Sequence, residues 1–311
     1  MGLRLSRATL SNWLLVVYRD WLVHIVHRLK QELLKQRYLH IDETHVQVLK
    51  EPGRKNTSDS YMWVYCSIKD SVTPIRYFEY RPGRSGKYPE AFLRGYEGYI
   101  HTDAYSGYNA VSGVKRCLCY THLRRAFVDA LPKDIHTPEA SKPAEAIFRL
   151  NQLFNIEAEL EALSPDQKKN ERLIREKPLL EAFWSWAEKS AIGELPKSKL
   201  SKAFHYALNN REGFFHYLED GNCSISNSLA ENCIRPFVIG RKNWLFSGSP
   251  KGAEASAGIY TLVETAKANG LAPMKYIKYI LSDIPGSAFL EHPEYLDDYL
   301  PWNPLVKEFC R

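Results

Sequence analysis

The chain has 311 residues, 44% hydrophobic and 13% aromatic, enough to bury a full core in one large domain or two smaller ones. Its 42 Lys and Arg against 36 Asp and Glu leave a net charge of +6, which permits a polyanionic partner without requiring one. Six cysteines scattered through so long a chain, with no secretory leader ahead of them, argue against a disulfide framework and for reduced thiols in a cytoplasmic setting.

The most apolar early segment, "NWLLVVYRDWLVHIVHRL", is interrupted by Arg19, Asp20, His24 and His27, well short of the roughly 18 unbroken apolar residues that a membrane span needs. No membrane contact is expected. Residues 1–37 read instead as an N-terminal arm of one or two amphipathic helices, with Ser6, Thr9 or Ser11 as the N-cap. From 38 to 131 short runs rich in β-branched and aromatic residues follow: "YLHIDETHVQVL", "SYMWVYCSI", "PIRYFEYRP", "GYIHTDAYSGY" and "VKRCLCYTHL". A short helix, "KYPEAFLRGY", separates the third from the fourth, and the pattern predicts a mixed α/β sheet. The basic connection "KEPGRKNTSDS" reads as a solvated hairpin loop. Across 132–210 the strands give way to apolar positions at three- and four-residue spacing, an all-helical insertion. Further helices are expected over 211–285, around "NSLAENCIRPFVIGRKNWLF" and "AEASAGIYTLVETAKANGL", before an aromatic, proline-rich tail at 286–311.

Acidic residues stand out at three places. Asp42 and Glu43 interrupt the apolar run of the first strand, and a period of two sends them to opposite sides, so only one can address a given site. Both could equally lie on a solvated edge strand. Asp103 ends the strand "GYIHTD" just before a small-residue turn, where sites collect. Glu231 recurs with Asn227 and Arg235 at four-residue spacing, along one face if this stretch is helical. Three carboxylates of this kind suit Mg²⁺, and a pair of such ions serves an in-line phosphodiester displacement. Cys117, Cys119 and His122 in "RCLCYTH" have a spacing that invites zinc, though no second paired motif lies nearby and packed thiols explain the residues as well. Arg124, Arg125, Arg235, Arg241, Lys242 and Lys251, with Trp244 and Phe246 among them, offer guanidinium forks for phosphate and aromatic faces for unpaired bases.

In their order, "LHIDET", "HTDAYSGY", "CYTHLRRAF", "NSLAENCIRP" and "GRKNWLFSGSPKGAEASA" resemble the transposases of the insertion sequence 66 family over roughly residues 5–285. The resemblance implies a ribonuclease-H-like catalytic domain with an Asp, Asp, Glu triad at Asp42, Asp103 and Glu231, interrupted by the helical insertion before the Glu. It implies two Mg²⁺ ions on these carboxylates, with Mn²⁺ as a substitute. The implied partner is DNA, as element ends and as target, bound in the nucleoid by a homo-oligomer together with accessory proteins of the same element. Cys119 and His122 match a Cys-x-x-His element that supports such sites, with Asn227 beside the Glu. Glu43 becomes an outward or supporting acid. Members of the family usually carry an Asp and two Asn before the Glu, where this chain has Ser226, Asn227 and Ser228. Fuller members also carry N-terminal coiled-coil, zinc-binding and DNA-binding segments, which this sequence is expected to lack. A catalytically degenerate DNA-binding relic and a ribonuclease-H-like structure-specific nuclease therefore stay open as alternatives.

Overall fold

The computed structural model describes residues 4–132 and 141–311; part of the expected helical insertion, 133–140, lies outside the described residues. In chain order the first elements are α1 (Arg7–Val17), a π-helical turn (Tyr18–Leu22), α2 (Val23–Leu34), β1 (Tyr38–Val48), β2 (Asp59–Ser67), β3 (Arg76–Arg81), α3 (Lys87–Phe92), β4 (Tyr99–Thr102) and β5 (Lys115–Leu118). Helices α4 (Tyr120–Val128), α5 (Lys142–Glu159), α6 (Pro165–Glu171), α7 (Lys177–Ala191), α8 (Lys199–Asn209) and α9 (Arg211–Phe215) follow. The chain closes with α10 (Ser228–Trp244), β6 (Phe246–Ser247), α11 (Pro250–Ala268), α12 (Pro273–Asp283) and α13 (Pro304–Cys310). The architecture is mixed α/β, with parallel and antiparallel strands flanked by helices. Among the described residues no helix is long and apolar enough to cross a membrane. None of the six cysteines is joined in a disulfide.

The chain divides into two units: Met1–Tyr96 with Asn109–Val111 and Leu229–Arg311, and Glu97–Tyr108 with Ser112–Ser228. In the first unit β2 pairs antiparallel with β1 and with β3, and β6 runs parallel to the end of β1. The β1 register sets Asp42 opposite Val64 and Glu43 opposite Trp63. Both faces are covered at Leu39, His40 and Ile41, which is why the first strand opens as an apolar run; from His45 to Val48 exposed and buried residues alternate. On one face Val46, Val48, Met62, Val64 and Phe78 pack against Ala230, Ile234 and Phe237 of α10 and against Ala253 and Ala257 of α11. On the other, Tyr65 stacks on Phe92 at 3.6 Å between ring centres, and the Lys30 ammonium of α2 sits 3.9 Å over the same ring. The loop between β1 and β2 is more than a solvated connection. Glu51 is buried and takes hydrogen bonds from Arg54 (2.5 Å), Ser60 (2.5 Å) and Tyr80, because a carboxylate at that depth must be matched by donors.

β3 has a second neighbour besides β2. The N–H groups of Arg76 and Phe78 donate to the hydroxyls of Thr265 (3.0 Å) and Thr261 (2.8 Å), one helical turn apart on α11. Those hydroxyls in turn lie 3.3 and 3.4 Å from the Arg76 and Phe78 carbonyls, so two side chains satisfy the strand's outer backbone groups. The same helix crosses the π-helical turn at Gly258, where an added Cβ would stand 2.0 Å from the Tyr18 ring. Gly258→Ala is expected to cost about 1–3 kcal/mol, as overpacking does, read as a lowered denaturation midpoint. The chain end is folded. Ala272 donates to the Cys310 carbonyl (2.7 Å), Tyr276 to the Tyr299 carbonyl (2.8 Å), and Arg28 of α2 pairs with Asp297 (2.6 Å).

In the second unit β4 and β5 run parallel, Thr102 opposite Leu118, and the helical text after α4 forms its own aromatic core. Phe127, Phe183, Trp184, Phe204 and Phe214 meet mainly edge-on at 4.9–6.2 Å. Ser141, Ser164 and Ser198 accept from the first turns of α5, α6 and α8 and so fix where those helices begin. The segment "VKRCLCYTHL" is strand only to Leu118; Cys119 is the N-cap and Tyr120 already helical.

Candidate active site

The pleat of β1 separates its two neighbouring acids. Asp42 shares a face with Thr44, Val46 and Val48 and, through the register, with Val64, the face on which α10 packs. There Cys66 of β2 meets Cys233 of α10; burial first, then Cys233, and further the charge of Asp42 push the Cys66 thiol well above its ordinary range. Glu231 lies in the first turn of α10, two residues before Cys233 and next to the buried Ala230, where the positive end of the helix dipole favours a carboxylate. Glu231 thus stands on the helix that covers the Asp42 side of this sheet. Asp42 Oδ1 accepts the Glu43 N–H at 2.9 Å.

Glu43 faces the opposite way. Its side chain is 2% exposed and pairs with Arg84 Nε at 2.5 Å, so of the two expectations, an outward or a supporting acid, the outward one does not hold. The reason is cover on both faces at this end of β1, where Leu39, His40 and Ile41 are buried; the face of Glu43 opens to solvent only further on, at His45 and Gln47.

In the second unit Asp103 directly follows β4. Its Oδ1 accepts the Tyr105 N–H at 3.0 Å, which closes the turn that the small residues predict. Arg116 of β5 braces that turn, donating to Thr102 Oγ1 (2.8 Å) and to the carbonyls of Asp103 (2.6 Å) and Tyr105 (2.8 Å), with Tyr108 stacked 5.2 Å from its guanidinium. Tyr206 of α8 places a buried phenol nearby, which burial and then the charges of Asp103 and Cys119 push well above its usual range. The sequence reading missed both residues. An arginine inside a strand was the available sign for Arg116, and nothing local marked Tyr206.

Cys119, His122 and Asn227 do come together. The Asn227 N–H donates to Cys119 Sγ at 3.2 Å, and Asn227 is itself buried. Burial alone would raise the Cys119 thiol, but hydrogen bonds from the His122 ring and the Asn227 amide outweigh it, and the net shift is downward. Cys117 does not join them. Its thiol lies with His101 and Cys223, so the zinc reading of "RCLCYTH" as one local cluster is corrected: extended backbone carries Cys117 to a different group from Cys119. The hydroxyl of Ser226 is 2.5 Å from that of Ser228 at the start of α10.

The basic residues divide by role. Arg125, Arg235, Lys242 and Lys251 are exposed. Arg124 donates to Asn151 of α5 at 2.7 Å, and Arg241 donates to Thr44 Oγ1 (3.2 Å) and the His45 carbonyl, tying the end of α10 to β1. Trp244 is half-buried and packs edge-on to Phe237 at 5.3 Å, so its ring belongs largely to the core and is not offered whole to a base. Beyond it Leu245 holds a left-handed backbone (φ 63°) and is 63% exposed, beside Phe246, which is 44% exposed. A cavity of about 500 Å³ lined by His45, Gln47, Asp59, Arg241 and Lys242 adjoins this turn.

A family model described as "Transposase IS66 family" matches residues 1–255, and one described as "IS66 C-terminal element" matches residues 261–302. Relatives in Sinorhizobium fredii (strain NBRC 101917 / NGR234) include the uncharacterized proteins y4hP, 27% identical, and y4jD, 28% identical, each over 97% of this chain. The chain spans 57% and 60% of the length of those two relatives. No solved structure gives a significant match. With the two matched segments covering nearly all of its length, the chain belongs to the IS66 family of transposases.

Proposed function

We propose that this chain is the catalytic region of a DDE transposase, a ribonuclease-H-like core at 38–131 and 211–285 with a helical insertion at 132–210, which cleaves DNA at element ends and joins them to target DNA. One observation carries the reading: within the family match, the motif acids Asp42, Asp103 and Glu231 stand at mid-strand, strand end and first helical turn of a mixed α/β architecture. These residues would hold two Mg²⁺ ions, or Mn²⁺ in their place, and an all-carboxylate donor set fits such hard cations. When bound, the ions supply charge stabilisation for the attacking and leaving oxygens of an in-line displacement.

The chain's own residues do the rest. Backbone amides help orient the carboxylates of Asp42 and Asp103, and Arg116 keeps the Asp103 turn rigid. Arg125, Arg235, Lys242 and Lys251 bind backbone phosphates, while Arg241 and Trp244 hold the shape of the surface that presents Lys242. Two DNA ends must be held at once, which calls for a homo-oligomer on DNA in the nucleoid, served by accessory proteins of the element.

The test is strand transfer with pre-cleaved ends. Joined product in Mg²⁺ or Mn²⁺, abolished by a chelator, is the expected result. DNA binding with neither joining nor calorimetric Mn²⁺ binding would select the degenerate relic, the reading favoured by Ser226 and Ser228. Cleavage of branched DNA without joining would select a nuclease. Lys242→Ala and Lys251→Ala should each weaken binding to every DNA sequence alike and reduce the slope of log K against log salt by about 1, measured by fluorescence anisotropy.

A further inference from the structure

We propose that His101, Cys117 and Cys223 form a binding site for a borderline-soft divalent metal, Zn²⁺ first, that fastens together three segments of the second unit. A ring nitrogen of His101 and the two Sγ atoms all lie within 4.8 Å of one another. The three residues are 1%, 1% and 2% exposed. They come from β4, from β5 and from the loop after the 3₁₀ turn His216–Glu219, and no local sequence spacing joins them. Bonds of about 2.3 Å to sulfur and about 2.0 Å to nitrogen put tetrahedral ligand atoms roughly 3.5–3.8 Å apart, so the group needs only a small contraction to close on an ion.

The surroundings already favour coordination. Ser224 donates its N–H to His101 Nε2 at 2.9 Å, so that lone pair points to the Cys223–Ser224 turn and the neutral ring carries its proton on Nδ1. A metal bonded through Nε2 would have to displace this hydrogen bond, with Nδ1 keeping its proton. The Cys223 peptide is fixed on both sides: its N–H donates to the Asp220 carbonyl at 3.0 Å, and its carbonyl accepts from Arg172 at 2.9 Å. Two thiolates and an imidazole suit Zn²⁺ and disfavour Mg²⁺, whereas the carboxylates of the proposed catalytic site have the reverse preference. One chain can therefore sort two metals. The site would clamp β4 just before Asp103 and β5 just before Cys119, and the inference stands whether or not the chain joins DNA.

The test uses the full chain. Grown with zinc and purified in reductant, it is expected to carry one zinc per molecule by elemental analysis, and Cys117→Ser or Cys223→Ser should lower the content by about tenfold or more. Cys119→Ser and Cys66→Ser should keep it. Because a ligand variant can misfold, Co²⁺ is also titrated into the wild-type chain, where strong thiolate-to-cobalt absorption and tetrahedral visible bands, displaced by Zn²⁺, are expected. Wild type with no zinc above the level of the Cys223→Ser variant, a cobalt spectrum lacking thiolate bands, or loss of zinc on Cys119→Ser would overturn the assignment. A Cys117–Cys223 disulfide in the reductant-purified chain would overturn it too.

Discussion

Asp42→Asn, Asp103→Asn and Glu231→Gln, each alone, should reduce strand transfer of pre-cleaved ends by about a thousandfold or more while leaving the melting curve nearly unchanged. The magnitude follows from removing several kcal/mol of transition-state charge stabilisation at about 1.4 kcal/mol per tenfold. These replacements are close to silent for the fold. An Asn at 42 still accepts the Glu43 N–H, and an Asn at 103 still accepts the Tyr105 N–H, so the two hydrogen bonds that orient these side chains survive. Glu43→Gln is the contrast. It neutralises the buried half of an ion pair whose Arg84 partner is 39% exposed, on the far face of β1, so it should lower the unfolding free energy only modestly, by about 1 kcal/mol, and leave the joining rate per folded molecule within a few-fold. Gel assays of joined product beside circular-dichroism melts separate the two outcomes. Joining that persists in any of the three variants at saturating Mg²⁺ would remove that acid from the mechanism.

Arg172→Met should destabilise the second unit by about 3–5 kcal/mol, the cost of leaving a buried partner charge uncompensated. Arg172 has no exposed surface and makes five hydrogen bonds: a two-pronged pair with Glu157 (2.6 and 2.8 Å) and bonds to the carbonyls of Tyr217 (3.1 Å), Asp220 (3.2 Å) and Cys223 (2.9 Å). It ties α5 to the loop that positions Cys223. Urea unfolding should show the loss, and Arg172→Met combined with Glu157→Leu should lose less than Arg172→Met alone, because the second change removes the stranded carboxylate. Glu176 beside it gives a pH signature. Burial, with Glu157 close by, pushes its carboxyl from 4.5 up to about 8. A raised carboxyl means the folded chain holds the proton more tightly, so its contribution to stability is complete below pH 4.5 and drains away as pH rises through about 8. Glu176→Gln should flatten that part of the stability profile, and an unchanged profile would exclude Glu176 as its source.

Several of these features were readable in the sequence for a physical reason. The alternation of a pleated strand separates Asp42 from Glu43 whatever the tertiary structure, and Ser6, among the caps expected for the first helix, marks the start of α1 because capping is a local interaction. Which side of β1 faces which helix was only half readable: His45 and Gln47 mark the open end of one face, but Leu39, His40 and Ile41 are buried on both and carry no exposed side to orient them. The Cys117 neighbours were hidden for another reason. His101 and Cys223 reach it from β4 and from a loop more than a hundred residues away, whereas Cys119 and His122 lie close in sequence and drew attention to themselves. Trp244 shows the same limit: aromatic residues among cations suggest stacking on bases, and only the position of Phe237 reveals that packing takes up most of the ring.

The paired threonines of α11 bear on how copies of this chain can gather. The outward amides of Arg76 and Phe78 already have hydroxyl partners, so at these two residues β3 offers no free donors to the main chain of another copy. Replacing both threonines with valine would strand those two amides beneath α11, at a cost of about 1–3 kcal/mol each.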